Sequence, residues 1–221
     1  MLLAAASLSE AFDALSDEFE RTRPELKVLR SYAGSQTLAM QVEEGIPADV
    51  IATADAAHME RLRSQSRVEA ASTFATNRLV WIVRPGLRGA PLEAGSDVRS
   101  LALGAPEVPV GRYAREALER LGALERASTV LVSEELDVKG VVSKVLFGTA
   151  DAGLVYATDV TPAVAPRVRV VELPEAAQVR AEYRVAVIRG APHVEEARAF
   201  VAYLGSPVAS EILQRHGFGA P

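Results

Sequence analysis

Short aliphatic runs alternate with amphipathic stretches along nearly the whole chain, and this alternation restricts the fold more than any other feature. Leu2–Ala5, Lys27–Tyr32, Asp49–Thr53, Arg78–Arg84, Leu101–Gly104, Ser128–Ser133, Ala152–Tyr156, Arg169–Leu173 and Tyr183–Ile188 read as strands. Several are continuous aliphatic or β-branched runs, the pattern of strands buried on both faces of a largely parallel sheet. Between them, apolar residues recur at helical spacing. Phe12, Leu15 and Phe19 share one face, as do Val138, Val141, Val142 and Val145, and as do Val194, Ala197, Val201 and Leu204. Strand-helix-strand order of this kind predicts an α/β fold with helices against each sheet.

A chain of 221 residues has room for two compact lobes. The irregular passage after Arg84-Pro85-Gly86 marks the change from a first unit to a second, and Gly205-Ser206-Pro207 interrupts a helical C-terminal segment. Lys and Arg number 24 against 29 Asp and Glu, a net charge of −5. That field opposes a nucleic-acid backbone or an anionic membrane surface, so no nucleic-acid partner is expected. The absence of cysteine removes disulfides, thiolate metal sites and cysteine nucleophiles. No apolar run approaches the ~18 residues of a membrane span. The opening Met1-Leu2-Leu3-Ala4-Ala5-Ala6 lacks a basic n-region, so a signal segment is expected to be absent from this chain.

The candidate chemistry lies at strand-to-helix turns. Ser7-Leu8-Ser9-Glu10 leaves a strand and enters an amphipathic helix with the spacing of a capping box. Ser7 therefore either caps that helix or faces a ligand. Ala33-Gly34-Ser35-Gln36-Thr37-Leu38 repeats the arrangement after the next strand, with Gly34 allowing close approach to backbone N–H groups. Ligands of open α/β sheets collect beyond the carboxyl ends of strands. There, helix N-termini supply unpaired N–H groups and partial positive charge, which makes an anion site without a basic residue.

Other chemistries lack their residues. No G-x-S-x-G elbow, G-x-x-x-x-G-K-[ST] loop or G-x-G-x-x-G turn occurs. His58, His193 and His216 show no metal-ligand spacing, and the adjacent carboxylates Glu43-Glu44, Glu134-Glu135 and Glu195-Glu196 read as solvated helix surfaces. No catalytic residue is assigned, and an enzyme is not expected.

One ordered set of segments is more specific: Ala4-Ala5-Ala6-Ser7-Leu8, Tyr32-Ala33-Gly34-Ser35-Gln36-Thr37-Leu38, Gly45-Ile46-Pro47-Ala48-Asp49-Val50, Ala54-Asp55, Asn77-Arg78-Leu79-Val80, Val108-Pro109-Val110-Gly111-Arg112-Tyr113-Ala114, Asp137-Val138-Lys139 and Gly153-Leu154-Val155-Tyr156-Ala157-Thr158-Asp159. Through these segments the chain resembles the molybdate-binding proteins of ABC importers, the ModA family of type II periplasmic binding proteins. The resemblance implies a two-lobed fold, each lobe a mainly parallel sheet flanked by helices. Lobe I would comprise 1–79 plus 187–221 and lobe II 80–186, with a ligand cleft between them and a hinge near 78–84 and 183–188.

It also implies a molybdate or tungstate oxyanion held by neutral donors, with no cofactor and with the metal held only as its oxyanion. Ser7 and Ser35 would each offer a hydroxyl and a backbone N–H, Val110 and Val138 backbone N–H groups, and Tyr156 its phenol. The implied partner is an ABC transporter permease, the implied place periplasmic or extracytoplasmic and membrane-associated through that transporter, and the implied state monomeric. The sequence departs from the family's usual residues at Val110 and Gln36. Two other readings share the scaffold: the effector-binding domain of a transcription regulator, for which no residues remain to form a helix-turn-helix, and a binding protein for another tetrahedral oxyanion such as sulfate.

Overall fold

The computed structural model describes residues 1–221, which form two compact units. Unit 1 comprises Met1–Asn77 and Ala181–Pro221, and unit 2 comprises Arg78–Arg180. The chain thus passes between units at Asn77/Arg78 and at Arg180/Ala181. The second crossing precedes the expected boundary at 187, because Ala181–Val187 is one continuous strand paired on both sides within unit 1.

Unit 1 contains strands β1 (Leu2–Ala5), β2 (Arg30–Ala33), β3 (Val50–Thr53), β4 (Ser72–Asn77) and β10 (Ala181–Val187). Its helices are α1 (Ser9–Arg21), α2 (Ser35–Glu43), α3 (Ala56–Ser64), α7 (Val194–Leu204) and α8 (Pro207–Arg215). The strand order is β2-β1-β3-β10-β4. β1 pairs parallel with β2 and β3, whereas β10 is antiparallel to both β3 and β4. Four strands therefore run one way and β10 runs against them, so the sheet is mixed.

Unit 2 repeats the plan. Strands β5 (Leu79–Val83), β6 (Leu101–Gly104), β7 (Leu131–Glu135), β8 (Ala152–Tyr156) and β9 (Arg169–Glu172) lie in the order β7-β6-β8-β5-β9. Here β5 is the reversed strand, antiparallel to β8 and β9. Helices α4 (Pro109–Arg120), α5 (Leu124–Val130) and α6 (Val138–Leu146) complete the unit. In each sheet the reversed strand is the one that follows a crossing from the other unit.

The burial follows from sequence. The inner strands β1, β3, β5, β6 and β8 are buried at every position, as continuous apolar runs demand when helices cover both faces. β7 and β9 alternate between partly buried and exposed residues and carry Glu134, Glu135, Arg169 and Glu172 at sheet edges, where charge discourages further strand addition. In unit 1, Phe12, Phe19, Phe74, Tyr183, Phe200 and Phe218 form an aromatic core, including an edge-to-face pair of Phe19 and Phe200 at 5.1 Å.

Two segments fold differently from their sequence pattern. Ser128–Ser133 is not one strand: α5 runs to Val130 and β7 begins at Leu131. Ser128 and Thr129 donate their hydroxyls to the carbonyls of Leu124 and Arg126, bonds that an extended chain could not make. Ser72–Asn77, which carries no clear apolar alternation, is the strand β4.

Candidate functional site

Two clusters of candidate groups stand at the carboxyl ends of parallel strands, one in each unit. In unit 1, Ala5 at the end of β1 is paired with Ala33 at the end of β2. Ser7 and Ser35 each lie two residues past those paired ends, so the register alone brings them to the same edge of the sheet. Both are buried, Ser7 at 6% and Ser35 at 1% relative exposure.

Neither hydroxyl caps a helix. The expected box from Ser7 to Glu10 does not form, because a short 3-10 turn over Ala6–Leu8 intervenes and α1 starts only at Ser9, with Leu8 at its N-cap. Glu10 instead accepts from the Ser9 hydroxyl at 2.6 Å. The Ser7 hydroxyl is paired with the phenol of Tyr183 at 2.9 Å. Ser35 opens α2, with Gly34 at the N-cap in an extended conformation, and its Oγ accepts the backbone N–H of Ala54 at 3.0 Å.

Behind Ser35, the chain leaving β3 is held by its own network. Thr53 donates its hydroxyl to the Asp55 carbonyl at 2.7 Å, and Asp55 caps α3 by accepting the His58 N–H at 3.0 Å. The His58 ring lies 2.9 Å from the same carboxylate through Nδ1. Burial lowers the proton affinity of His58 below the ordinary histidine value, assisted by the Arg61 charge and opposed by Glu43.

In unit 2, Val110, Val138 and Tyr156 follow or end β6, β7 and β8, which are neighbours with β6 in the middle. Val110 is the second residue of α4, after Pro109 at the first helical position. A proline there costs no intrahelical hydrogen bond, and the first-turn N–H groups that follow have no carbonyl four residues back. Val138 is the first residue of α6, which Asp137 caps by accepting the Gly140 N–H at 2.9 Å. Both valines are buried, so only their amides are of chemical use.

The start of α4 is pressed hard against the end of β6. A Cβ on Gly111 would lie 2.1 Å from the Ala105 carbonyl oxygen and 2.3 Å from that of Gly104. Glycine is therefore a requirement of the approach, although nothing in the sequence alone singles out Gly111 from its neighbours.

Tyr156, at 1% exposure, ends β8 with its ring edge-on to Tyr113 at 6.4 Å. Its backbone N–H donates to Asp159 Oδ2 at 3.2 Å, and Asp159 Oδ1 lies 3.7 Å from the Lys139 ammonium. Sequence reasoning assigned no role to either charged residue. The Lys139 charge next to Val138 is thus matched by a buried carboxylate.

The paired glutamates are surface groups in part: Glu43 is bridged to Arg61 and Glu134 to Arg115, while Glu135 accepts from Ser133 and approaches Lys144 at 3.6 Å. His193 and His216 lie apart from both clusters, His193 donating its backbone N–H to Asp49 at 2.8 Å and His216 approaching the Ile212 carbonyl through its ring at 2.8 Å. No helix is long and apolar enough to cross a membrane.

Two mixed five-stranded sheets with the same strand plan, each presenting helix N-termini and buried hydroxyls at its carboxyl edge, define an α/β solute-binding fold of the periplasmic type II class. The chain belongs to the bacterial extracellular solute-binding proteins, whose family model matches residues 1–219. It is 35% identical over 226 residues to the molybdate-binding protein ModA of Mycobacterium tuberculosis, covering 100% of this chain and 84% of that protein. Identity is also 35% over 229 residues to ModA of Escherichia coli, covering 98% and 87% respectively. The Azotobacter vinelandii periplasmic molybdate-binding protein shares the fold with a TM-score of 0.89 at 22% identity, over 100% of this chain and 98% of that one.

Proposed function

We propose that this chain binds molybdate or tungstate outside the cytoplasm and delivers it to an ABC importer permease, without turnover and without a cofactor. The observation that carries the reading is the placement of Ser7 and Ser35, two buried hydroxyls at equal distances beyond paired strand ends. On this reading Ser7 and Ser35 contribute hydroxyl and N–H donors from unit 1. Val110 and Val138 contribute amides, and Tyr156 its phenol, from unit 2. The crossings at Asn77/Arg78 and Arg180/Ala181 would serve as the hinge, so that the closed, liganded form satisfies donors from both units and is the form a permease recognises.

Neutral donors suit this ligand physically. Fixed N–H and O–H dipoles converging on a dianion in a dry site stabilise it without reorganisation. A lining made only of donors disfavours a protonated oxyanion such as hydrogen phosphate, whose O–H would meet no acceptor. The Asp159 carboxylate offsets the charge of the lysine that follows Val138. Molybdate and tungstate are nearly isosteric, and both are taken as ligands.

A thermal-unfolding panel with molybdate, tungstate, sulfate and phosphate tests the proposal, because a ligand bound only by the native state raises apparent stability. Stabilisation by the first two anions alone is expected. Stabilisation by sulfate alone, or by none of the four, would overturn it.

A further inference from the structure

We propose that Gln178 is a positioning residue for Tyr156: its side-chain amide takes the place of a missing strand beside Leu79 and so holds the start of β5 against the end of β8 that carries the phenol. The inference rests on the oxyanion reading above, in which Tyr156 is a donor, and adds to it what keeps that donor in place.

The need for such a residue follows from the ladder. β5 is paired with β8 on one side and with β9 on the other, and Leu79 at its start lies opposite Tyr156. Just beyond the two ends of the β5–β8 pairing, the Ala157 N–H donates to the Arg78 carbonyl at 2.9 Å and the Arg84 N–H to the Asp151 carbonyl at 2.8 Å. Hydrogen-bonded positions alternate along an antiparallel strand. Toward β8 they therefore fall at Arg78, Val80, Ile82 and Arg84, and the N–H and C=O of Leu79 point the other way, toward β9. There β9 stops short. Its last residue, Glu172, is paired with Val80, and Pro174 and a 3-10 turn over Glu175–Ala177 follow. Leu79 is 0% exposed, so both of its backbone groups need partners from the protein.

Gln178 supplies them. Its Oε1 accepts the Leu79 N–H at 3.2 Å, and its Nε2 donates to the Leu79 carbonyl at 2.9 Å. Of the two amide orientations only this one satisfies both groups, since the reverse sets donor against donor and acceptor against acceptor. The backbone that carries this side chain is anchored in turn. The Gln178 N–H donates to the Glu175 carbonyl at 3.1 Å, and the Gln178 carbonyl accepts from the Arg120 guanidinium of α4. Leu79 and Tyr156 form a non-hydrogen-bonded pair, the kind whose side chains stand closest on one face of a sheet. Fixing the Leu79 backbone thus fixes the neighbour beside which the Tyr156 ring is set.

Two substitutions break this clasp in different ways. Gln178→Met keeps the length of the side chain and removes both bonds. Gln178→Glu keeps an acceptor for the Leu79 N–H and, when ionised, loses the donor to the Leu79 carbonyl.

The experiment is calorimetric titration with sodium molybdate of the parent chain, Gln178→Met, Gln178→Glu, Tyr156→Phe, and each Gln178 variant combined with Tyr156→Phe. Amide hydrogen exchange of the unliganded proteins is read at Leu79, Trp81 and Val83. In Gln178→Met, exchange at Leu79 is expected to rise about ten-fold or more, while Trp81 and Val83, which keep their partners on β9, change little. A general loss of stability would not single out Leu79. Molybdate binding by either Gln178 variant is expected to weaken about two- to five-fold, a cost bounded by that of losing the phenol itself. In the Tyr156→Phe background the same substitutions are expected to change affinity by less than about 1.5-fold, because the group they position is gone. The positioning role is overturned, and the oxyanion reading stands, if Gln178→Met binds as the parent does, if it costs as much without the phenol as with it, if Leu79 exchange is unchanged, or if Tyr156→Phe itself leaves affinity unaltered. If the parent gives no molybdate heat and no thermal stabilisation, the underlying reading fails. Should Gln178→Met not fold, Gln178→Glu decides by the same cycle.

Discussion

Ser35 Oγ accepts the backbone N–H of Ala54 at 3.0 Å, and this bond reaches from the residue opening α2 to the residue that follows β3. β2 and β3 flank β1 on opposite sides. The bond therefore ties together the two chain segments on either side of β1, at the edge where Ser7 also stands. With one lone pair engaged by that N–H, the Ser35 hydroxyl keeps its proton available for a ligand.

Ser35→Ala should consequently fail twice. The lost donor to a dianion should weaken molybdate binding by about ten- to a hundred-fold, since hydrogen bonds to charged groups contribute roughly 1.5–3 kcal/mol. The Ala54 N–H is also left without its acceptor in a buried place, and melting temperature should fall in the unliganded protein as well. Calorimetry and thermal unfolding read the two effects separately. Unchanged affinity in this variant would remove Ser35 from the site.

Tyr156→Phe isolates the phenol of unit 2. The ring keeps its edge contact with Tyr113, and the backbone keeps its bond to Asp159, so the fold should be preserved. Binding is expected to weaken by about two- to ten-fold, the range of an ordinary hydrogen bond that water partly replaces. A loss above a hundred-fold with unchanged melting temperature would mean that the phenol does more than donate one hydrogen bond.

Much of this site could be read from sequence because it depends on residues adjacent to strand ends, and apolar runs such as Leu2–Ala5, Leu101–Gly104 and Ala152–Tyr156 mark those ends sharply. What sequence could not supply was long-range pairing. Ser7 and Tyr183 are 176 residues apart, and the capping spacing of Ser7 with Glu10 pointed to a local partner that the 3-10 turn displaces. Asp159 was similarly hidden, since a carboxylate near a strand end gives no sign that it will accept the Tyr156 N–H and face Lys139. The helix α5 was mistaken for strand because Ser128, Thr129 and Val130 favour extended chain locally, and their helical state depends on hydroxyl bonds back to preceding carbonyls.

Gly111→Ala should disturb unit 2 without touching a candidate donor. Its new methyl would fall on the carbonyl oxygens of Ala105 and Gly104, which are backbone and cannot turn aside. The start of α4 must then shift away from β6 and carry the Val110 amide with it. Both a lower melting temperature and weaker molybdate binding are expected. Wild-type values for both would show that the close approach of α4 to β6 is not maintained in solution.

The two acid–base expectations differ in their pH windows. No histidine is among the proposed donors, so molybdate affinity should be flat between about pH 6.5 and 8.5. Stability should behave differently on the acid side. Burial holds the proton affinity of His58 below its value of 6.5 in an unfolded chain, with Arg61 acting in the same direction. As pH falls through 6.5, the unfolded chain takes up the histidine proton first. The native state is therefore favoured in full above that value and loses stability below it, until the native imidazole is protonated too. Chemical unfolding between pH 7.5 and about 5 should show this decline, and His58→Gln should flatten it even if that variant is less stable overall. The comparison of slopes is what counts: the same slope in parent and His58→Gln would assign the decline to other groups.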